Sequence, residues 1–269
     1  GAQANTVNGN LLMGLPLFAS RGVGFSASLG LTYNSLLEDP GVISQGWSHG
    51  YHMYLVDSWS GLNETSDHIT LFMPDGRGIV FQWRDEGSDG QVHVAFDEFG
   101  YFGKIERLSE SLTTQYRLTS KHGVESLFET DGKLKEIKDR HGNKLTLTYD
   151  ASTGLLTDVE DSSGRAITLD HTDGRLTLVT DPAGATYTLE YDATDVGRKL
   201  KKVTLNSGGL TAEKPVWEFV YHAADGLESG FPTRRRLLSQ VKTPRQKVFK
   251  YYYLVDNRFQ ASKDPLTQN

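Results

Sequence analysis

The stretch from Gly132 to Asp192 states one unit three times, and no other feature narrows the possible folds as much. Read from successive glycines it runs GKLKEIKDRHGNKLTLTYDAST, GLLTDVEDSSGRAITLDHTD and GRLTLVTDPAGATYTLEYD. Each copy carries a glycine, a leucine two residues on, a second apolar, mostly β-branched residue three beyond that, an aspartate, a second glycine and an alternating strand that closes on Tyr or His. A period of about 20 residues marks stacked supersecondary units, none of which can bury its apolar face alone.

The second strand of each copy alternates cleanly. Leu145, Leu147 and Tyr149 share a face, as do Ile167, Leu169 and His171, and Tyr187, Leu189 and Tyr191, with mostly threonine between them. One face is therefore apolar and the other wet, and each Tyr is expected to pack inward with the Leu two places before it. The same template recovers Trp217, Phe219 and Tyr221, then Phe249, Tyr251 and Tyr253. The first strand is less regular. Leu134 and Ile137, Leu156 and Val159, Leu176 and Val179, Leu200 and Val203, and Leu238 and Val241 stand three apart, which puts the two side chains on opposite faces of an ideal strand. Either a bulge restores the register or both faces are covered.

Between the strands lies Asp-x-x-Gly, at Asp139 to Gly142, Asp161 to Gly164 and Asp181 to Gly184. An Asp opening a turn accepts bonds from amides two residues on, and Pro182 is preset for the position after it. Insertions at 206–215 and 223–236 belong on exposed loops. Tyr116 to Phe128 reads as a shortened copy, so the repeats are expected over 116–269. A further copy begins at Asn257, with Asp264-Pro265 in the turn, and breaks off, which predicts an array truncated mid-repeat. Residues 1–115 are expected to form a β-rich segment that precedes the array.

In that first segment Leu11 to Met13 reads as a strand, with Pro16 confining the residues after it to an edge or a strand start. Phe25, Ala27, Leu29, Leu31 and Tyr33 alternate as a half-buried strand. Trp47 is expected to anchor a strand that continues through Tyr51, Met53 and Leu55, with Gly46 allowing a tight turn. The sharper reading makes Trp47 a platform for sugar rings. Asp75-Gly76 is a turn between two strands.

Composition adds limits. With 28 glycines, 12 Tyr and 12 Phe in 269 residues, all-β is favoured over long helices. A net charge of −6 without a basic stripe argues against a nucleic-acid surface; the run Arg234-Arg235-Arg236 reads as a solvated loop. There is no cysteine, hence no disulfide and no thiolate metal site. No apolar segment is long enough to span a bilayer as a helix.

These residues resemble a known family. Gly174 to Asp192 looks like the YD repeat of bacterial Rhs proteins, related to the C-type components of Tc toxins and to teneurins. Tyr149-Asp150 and Tyr191-Asp192 are the signature dipeptide, and His171-Thr172 and Tyr221-His222 depart from it. Gly9-Asn10-Leu11, Leu31-Thr32-Tyr33-Asn34-Ser35, Gly46-Trp47-Ser48 and Asp75-Gly76-Arg77 resemble the segment preceding such arrays. The resemblance implies an elongated, curved antiparallel β-sheet of stacked hairpins, part of a spiral shell that encloses or displays a C-terminal, toxin-like domain. It further implies a bacterial protein that is secreted or on the cell surface, with the remainder of its own polypeptide as its partner. The family's self-cleaving aspartates and its variable toxin domain have no counterpart in these residues.

No catalytic, cofactor-binding or metal residue is assigned, and no enzyme activity is expected. His49 and His52 are spaced for a metal pair on a helix rather than a strand. The turn aspartates could bind calcium only if several converged, and turn capping is the simpler role. The pairs Asp85-Glu86 and Asp97-Glu98 carry no useful separation for glycoside hydrolysis. The alternative to a scaffold is an adhesin or carbohydrate-binding module that uses Trp47, Trp59, Trp83 or Tyr residues as stacking platforms, with a surface glycan or protein as its partner.

Overall fold

The computed structural model describes residues 2–5, 10–20, 27–37, 41–58, 68–85, 93–97, 100–108, 116–193, 198–206, 214–222, 237–253 and 259–263. Among them every regular element is a strand. The first half contributes β1 (Ala2–Asn5), β2 (Asn10–Ala19), β3 (Ser28–Asn34), β4 (Trp47–His49), β5 (Tyr54–Asp57), β6 (His68–Phe72), β7 (Gly78–Asp85), β8 (His93–Asp97) and β9 (Lys104–Arg107). Then come β10 (Tyr116–Thr119), β11 (Glu125–Phe128), β12 (Leu134–Lys138), β13 (Lys144–Tyr149), β14 (Leu156–Asp161), β15 (Ala166–Thr172) and β16 (Arg175–Thr180). The last are β17 (Thr186–Tyr191), β18 (Leu200–Asn206), β19 (Val216–Tyr221), β20 (Leu238–Lys242), β21 (Val248–Tyr253) and β22 (Phe259–Lys263). The expected all-β, antiparallel class holds.

The chain forms two compact units, one of Gly1–Leu17, Gly30–Ser48 and Leu169–Asn269, the other of Phe18–Leu29 and His49–Thr168. In the second unit the strands from β5 to β14 each pair antiparallel with the next. In the first, β16 to β22 do the same. A second sheet has the order β1-β2-β3-β4.

A single turn chemistry joins seven of the hairpins. In Asp139 to Asn143 the Gly142 amide donates to the Asp139 carbonyl at 3.1 Å and the Asp139 amide to the Asn143 carbonyl at 2.9 Å, with Gly142 at φ 86°. This is a three-residue loop whose last residue is left-handed, where glycine pays no Cβ penalty. The same pattern closes Met73 to Arg77, Ser120 to Val124, Glu129 to Lys133, Asp161 to Arg165, Asp181 to Ala185 and Thr243 to Lys247. The last carries Gln246 in the glycine position at φ 59°. Asp173 at φ 52° and Gly174 at φ 74° instead make the two-residue turn between β15 and β16.

The three-apart spacing of the first strands resolves as a bulge. Register shifts where Tyr149 pairs Leu156, where Tyr191 pairs Leu200 and where Tyr221 pairs Leu238, leaving Thr157, Lys201 and Ser239 extra. Phe128 opposite Leu134 and Tyr253 opposite Phe259 repeat the shift. Two residues opposing one return both apolar positions to one face. Leu156 and Val159, Leu200 and Val203, and Leu238 and Val241 are accordingly all buried. The extra residue is put to use, since Thr157 Oγ1 donates to the Thr148 carbonyl at 3.1 Å and Ser239 Oγ to the Val220 carbonyl at 3.0 Å.

One expectation for the first half holds and one needs correction. Pro16 lies inside the ten-residue β2, in the part that forms an edge. The pairing of β1 with β2 covers only Asn10 to Met13, so no bond to β1 is asked of the missing Pro16 N–H. The strand begun by Trp47 stops at His49, and a turn in which the His52 amide donates to the His49 carbonyl at 2.9 Å precedes β5.

Candidate functional site

In three of the repeats a base, a leucine and a tyrosine form a small set that the sequence reading left unconnected. The Tyr that closes the second strand donates its hydroxyl to the carbonyl of the leucine that opens the first. Tyr149 reaches Leu134 at 2.7 Å, Tyr191 reaches Leu176 at 2.6 Å and Tyr221 reaches Leu200 at 2.7 Å. The residue before that leucine is basic and lies over the same ring. Lys133 is 5.7 Å from the Tyr149 centroid, Arg175 5.7 Å from Tyr191 and Lys199 5.5 Å from Tyr221. Burial pushes the Tyr149 and Tyr191 phenols upward, so both remain protonated donors. One signal was available in the sequence: the second repeat changes both partners together, having Leu155 for the base and His171 for the tyrosine. His171 Nε2 is buried with no hydrogen-bond partner.

In the first compact unit these sets meet the segment from Val42 to Trp47. The Leu176 amide donates to the Val42 carbonyl at 2.8 Å and Arg175 Nη1 to the Ile43 carbonyl at 2.5 Å. One repeat later the Leu200 amide donates to Ser44 Oγ at 3.2 Å, while Lys199 Nζ reaches Gln45 Oε1 at 3.1 Å and its carbonyl at 3.4 Å. The Leu238 amide donates to Tyr33 Oη at 3.0 Å. Three equivalent leucine amides thus point away from their own ladder and are satisfied by the N-terminal segment.

Trp47 ends this run. It is 1% exposed, with its ring edge-on to Phe219 at 4.7 Å and tilted against Tyr33 at 5.3 Å. Its Nε1 donates to Tyr221 Oη at 2.8 Å, and that hydroxyl donates onward to Leu200. Gly46, at φ 86°, makes the turn before it, and a Cβ there would come within 2.6 Å of Tyr33 Cε2. The anchoring role expected for Trp47 holds; as a sugar platform it is ruled out, since its faces are covered.

The remaining candidates do not assemble a reaction centre. His49 is buried and lies edge-on to His52 at 5.9 Å, and His52 lies edge-on to Tyr54 at 5.4 Å. Among the described residues no three of His, Cys, Asp and Glu converge as metal ligands. The turn aspartates are occupied by their own loops. Asp139 Oδ1 accepts the His141 and Asn143 amides at 2.8 and 3.0 Å, and Asp181 Oδ1 those of Ala183 and Ala185 at 2.8 and 2.9 Å. Asp161 takes the Ser163 amide at 2.8 Å and Arg165 Nη2 at 2.6 Å. Burial pushes its carboxyl upward, but Arg165 and the turn amides outweigh that and hold it below the ordinary range. Asp150, of the Tyr-Asp dipeptide, is held low by the hydroxyls and amides of Ser152 and Thr153. Trp59, Glu86, Glu98, Arg234-Arg235-Arg236 and Asp264-Pro265 lie outside the described residues, and of Trp83, Asp85 and Asp97 only the backbone is described. Among the described residues no helix is long and apolar enough to cross a membrane.

Antiparallel hairpins, several of them re-registered by one bulge and several locked by a base, a leucine and a tyrosine, define a β-hairpin repeat protein. Residues 170–210 match the RHS Repeat, and residues 1–81 match a domain of unknown function, DUF6531. Over residues 170–210 the chain carries the repeat of the Rhs/YD-repeat family. No curated protein matches it. Among solved structures it is similar to the N-terminal domain of the effector protein SpvB from Salmonella typhimurium strain LT2, at 14% identity over 93% of this chain and 97% of that one, with a TM-score of 0.39. It is also similar to the Tc holotoxin pore of Photorhabdus luminescens, at 14% identity, 97% of this chain, 16% of that one and a TM-score of 0.44. A TcdB2–TccC3–Cdc42 complex gives 15% identity, 94% and 15% coverage and a TM-score of 0.42. The chain therefore spans less than a fifth of either Tc chain.

Proposed function

We propose that this chain is a non-catalytic wall segment of a longer Rhs polypeptide, in which the hairpins continue into a curved β-shell that encloses or displays a C-terminal, toxin-like domain. Its partners are then the rest of that polypeptide, and it acts outside a bacterial cell, secreted or at the surface. The observation that carries this reading is the repeated hairpin itself. Its turn aspartates, tyrosine hydroxyls and basic side chains are used on backbone atoms and rings of the chain itself, as a scaffold requires. The match to the RHS Repeat supports it.

Limited proteolysis of the full-length polypeptide tests the reading. A domain C-terminal to the repeats should resist cleavage while the hairpins are folded and become sensitive at the denaturant concentration that unfolds them. Such a domain cut at the same rate before and after that transition would exclude enclosure, and turnover in a glycosidase and protease screen would exclude a purely structural role.

A further inference from the structure

We propose that the base and leucine of a repeat, with the tyrosine behind them, form a reader of turned polypeptide backbone, and that the segment Val42–Trp47, which runs in turns between Gly41 at φ 47° and Gly46 at φ 86°, is its ligand. The stepping of the contacts carries this. Arg175 and Leu176 take the carbonyls of Ile43 and Val42; Lys199 takes Gln45 through both Oε1 and the carbonyl, and Leu200 takes the Ser44 hydroxyl. One repeat advances the ligand by two residues, and the same two positions of the repeat do the reading both times. At Leu200 the bulge is what makes the amide available, because it turns that N–H out of the hairpin ladder. The tyrosine prepares the reader from behind, with its hydroxyl on the leucine carbonyl and its ring under the cation.

What is read is the carbonyls of Val42, Ile43 and Gln45 together with Ser44 Oγ and Gln45 Oε1, so the recognition asks for a turned segment that presents these acceptors. The apolar requirement falls on one residue, Trp47, which seats against Phe219 and Tyr221. Recognition of this kind resembles strand addition in using backbone bonds for affinity and one pocket for specificity. It differs in using one amide per repeat rather than a sheet edge. It does not depend on what, if anything, the repeats enclose.

The test uses the full-length chain carrying Trp47→Ala, whose own segment is loosened, and a synthetic peptide of residues 41–48. By hydrogen exchange, the Leu176 and Leu200 amides of the variant should exchange at least tenfold faster than in the unsubstituted protein, and the peptide should restore their protection. Arg175→Gln in that background should weaken the peptide by about tenfold, the loss expected for one charge-assisted hydrogen bond. A dimer of the variant that the peptide dissociates would be the same recognition between two copies and would support the proposal equally. Failure of the peptide to restore protection while the ladder amides of β16 and β18 stay protected would overturn it. If Trp47→Ala does not fold, the unsubstituted protein decides: the Leu176 and Leu200 amides should exchange together, through one opening, faster than the ladder amides beside them. Equal rates would overturn the proposal.

Discussion

At the scale of single residues, the hairpin turns offer a controlled comparison. Gly184, at φ 84°, has nothing within 4 Å of where a Cβ would lie, whereas a Cβ on Gly132, at φ 83°, would run into the Leu55 backbone. Gly184→Ala should therefore cost only the left-handed strain of about 1–2 kcal/mol, and Gly132→Ala should cost clearly more. Urea melts of the two variants check this; equal losses would mean that the close approach at Gly132 relaxes freely. Gln246 presents the reverse case, since it holds the same conformation without being glycine. Gln246→Gly should stabilise by up to about 1 kcal/mol, the strain relieved being partly offset by the extra freedom of glycine in the unfolded chain. Tyrosine at the repeat closure can be weighed in the same way. Tyr191→Phe should lose about 0.5–1.5 kcal/mol with its bond to Leu176, and His171→Tyr should gain by giving that position the hydroxyl the other repeats have.

At the scale of the element, the bulge is the decisive feature, and it can be separated from the side chain that occupies it. Lys201 is exposed and extra to the pairing of Tyr191 with Leu200. Lys201→Ala should change stability by less than about 0.5 kcal/mol. Deleting Lys201 should leave Leu200 and Val203 two apart and still on one face of a plain strand, so the loss should stay below the several kcal/mol of exposing both, each such side chain being worth about 1.5–3 kcal/mol. A deletion that costs that much would show that the pairing of Tyr191 with Leu200 cannot close without the extra residue. The turn aspartates were legible in the sequence because their partners are two and four residues away. The bulge was legible only as a question, because a three-residue spacing fits two structures equally well. The seam at Val42–Trp47 was not legible at all. It lacks the alternation of a strand, and its partners lie 132 residues off at Arg175 and 174 off at Tyr221.

For the whole molecule, acidity should weaken the fold in two stages. Burial holds His171 below the ordinary imidazole range, so the folded state resists its protonation. The unfolded chain then binds more protons, and stability present above about pH 6.5 is lost as pH falls below it. Asp139, Asp150 and Asp161 are also held low, by turn hydroxyls and amides and, for Asp161, by Arg165 acting against its own burial. Their contribution is complete above about pH 4 and is lost as pH falls through their folded values. Denaturation midpoints from pH 8 to pH 2 should show both declines, and His171→Tyr should remove only the upper one. Cross-strand pairs such as Lys202 with Glu190 at 2.9 Å and Lys144 with Glu136 at 3.0 Å are exposed and should add little to either.

The bulge has one more consequence, for how such a chain can change. A plain ladder passes every slip in alignment on to the strands after it, as a lost letter shifts the reading of all later words. Here the repeats that begin at Leu134, Leu156, Leu200 and Leu238 each open with their own mark, a leucine set opposite an aromatic residue with one residue to spare, so phase is declared afresh several times along the array. An error inside one hairpin stays in that hairpin. The long insertions at 206–215 and 223–236 fall between such marks, and the strands beyond them resume in phase.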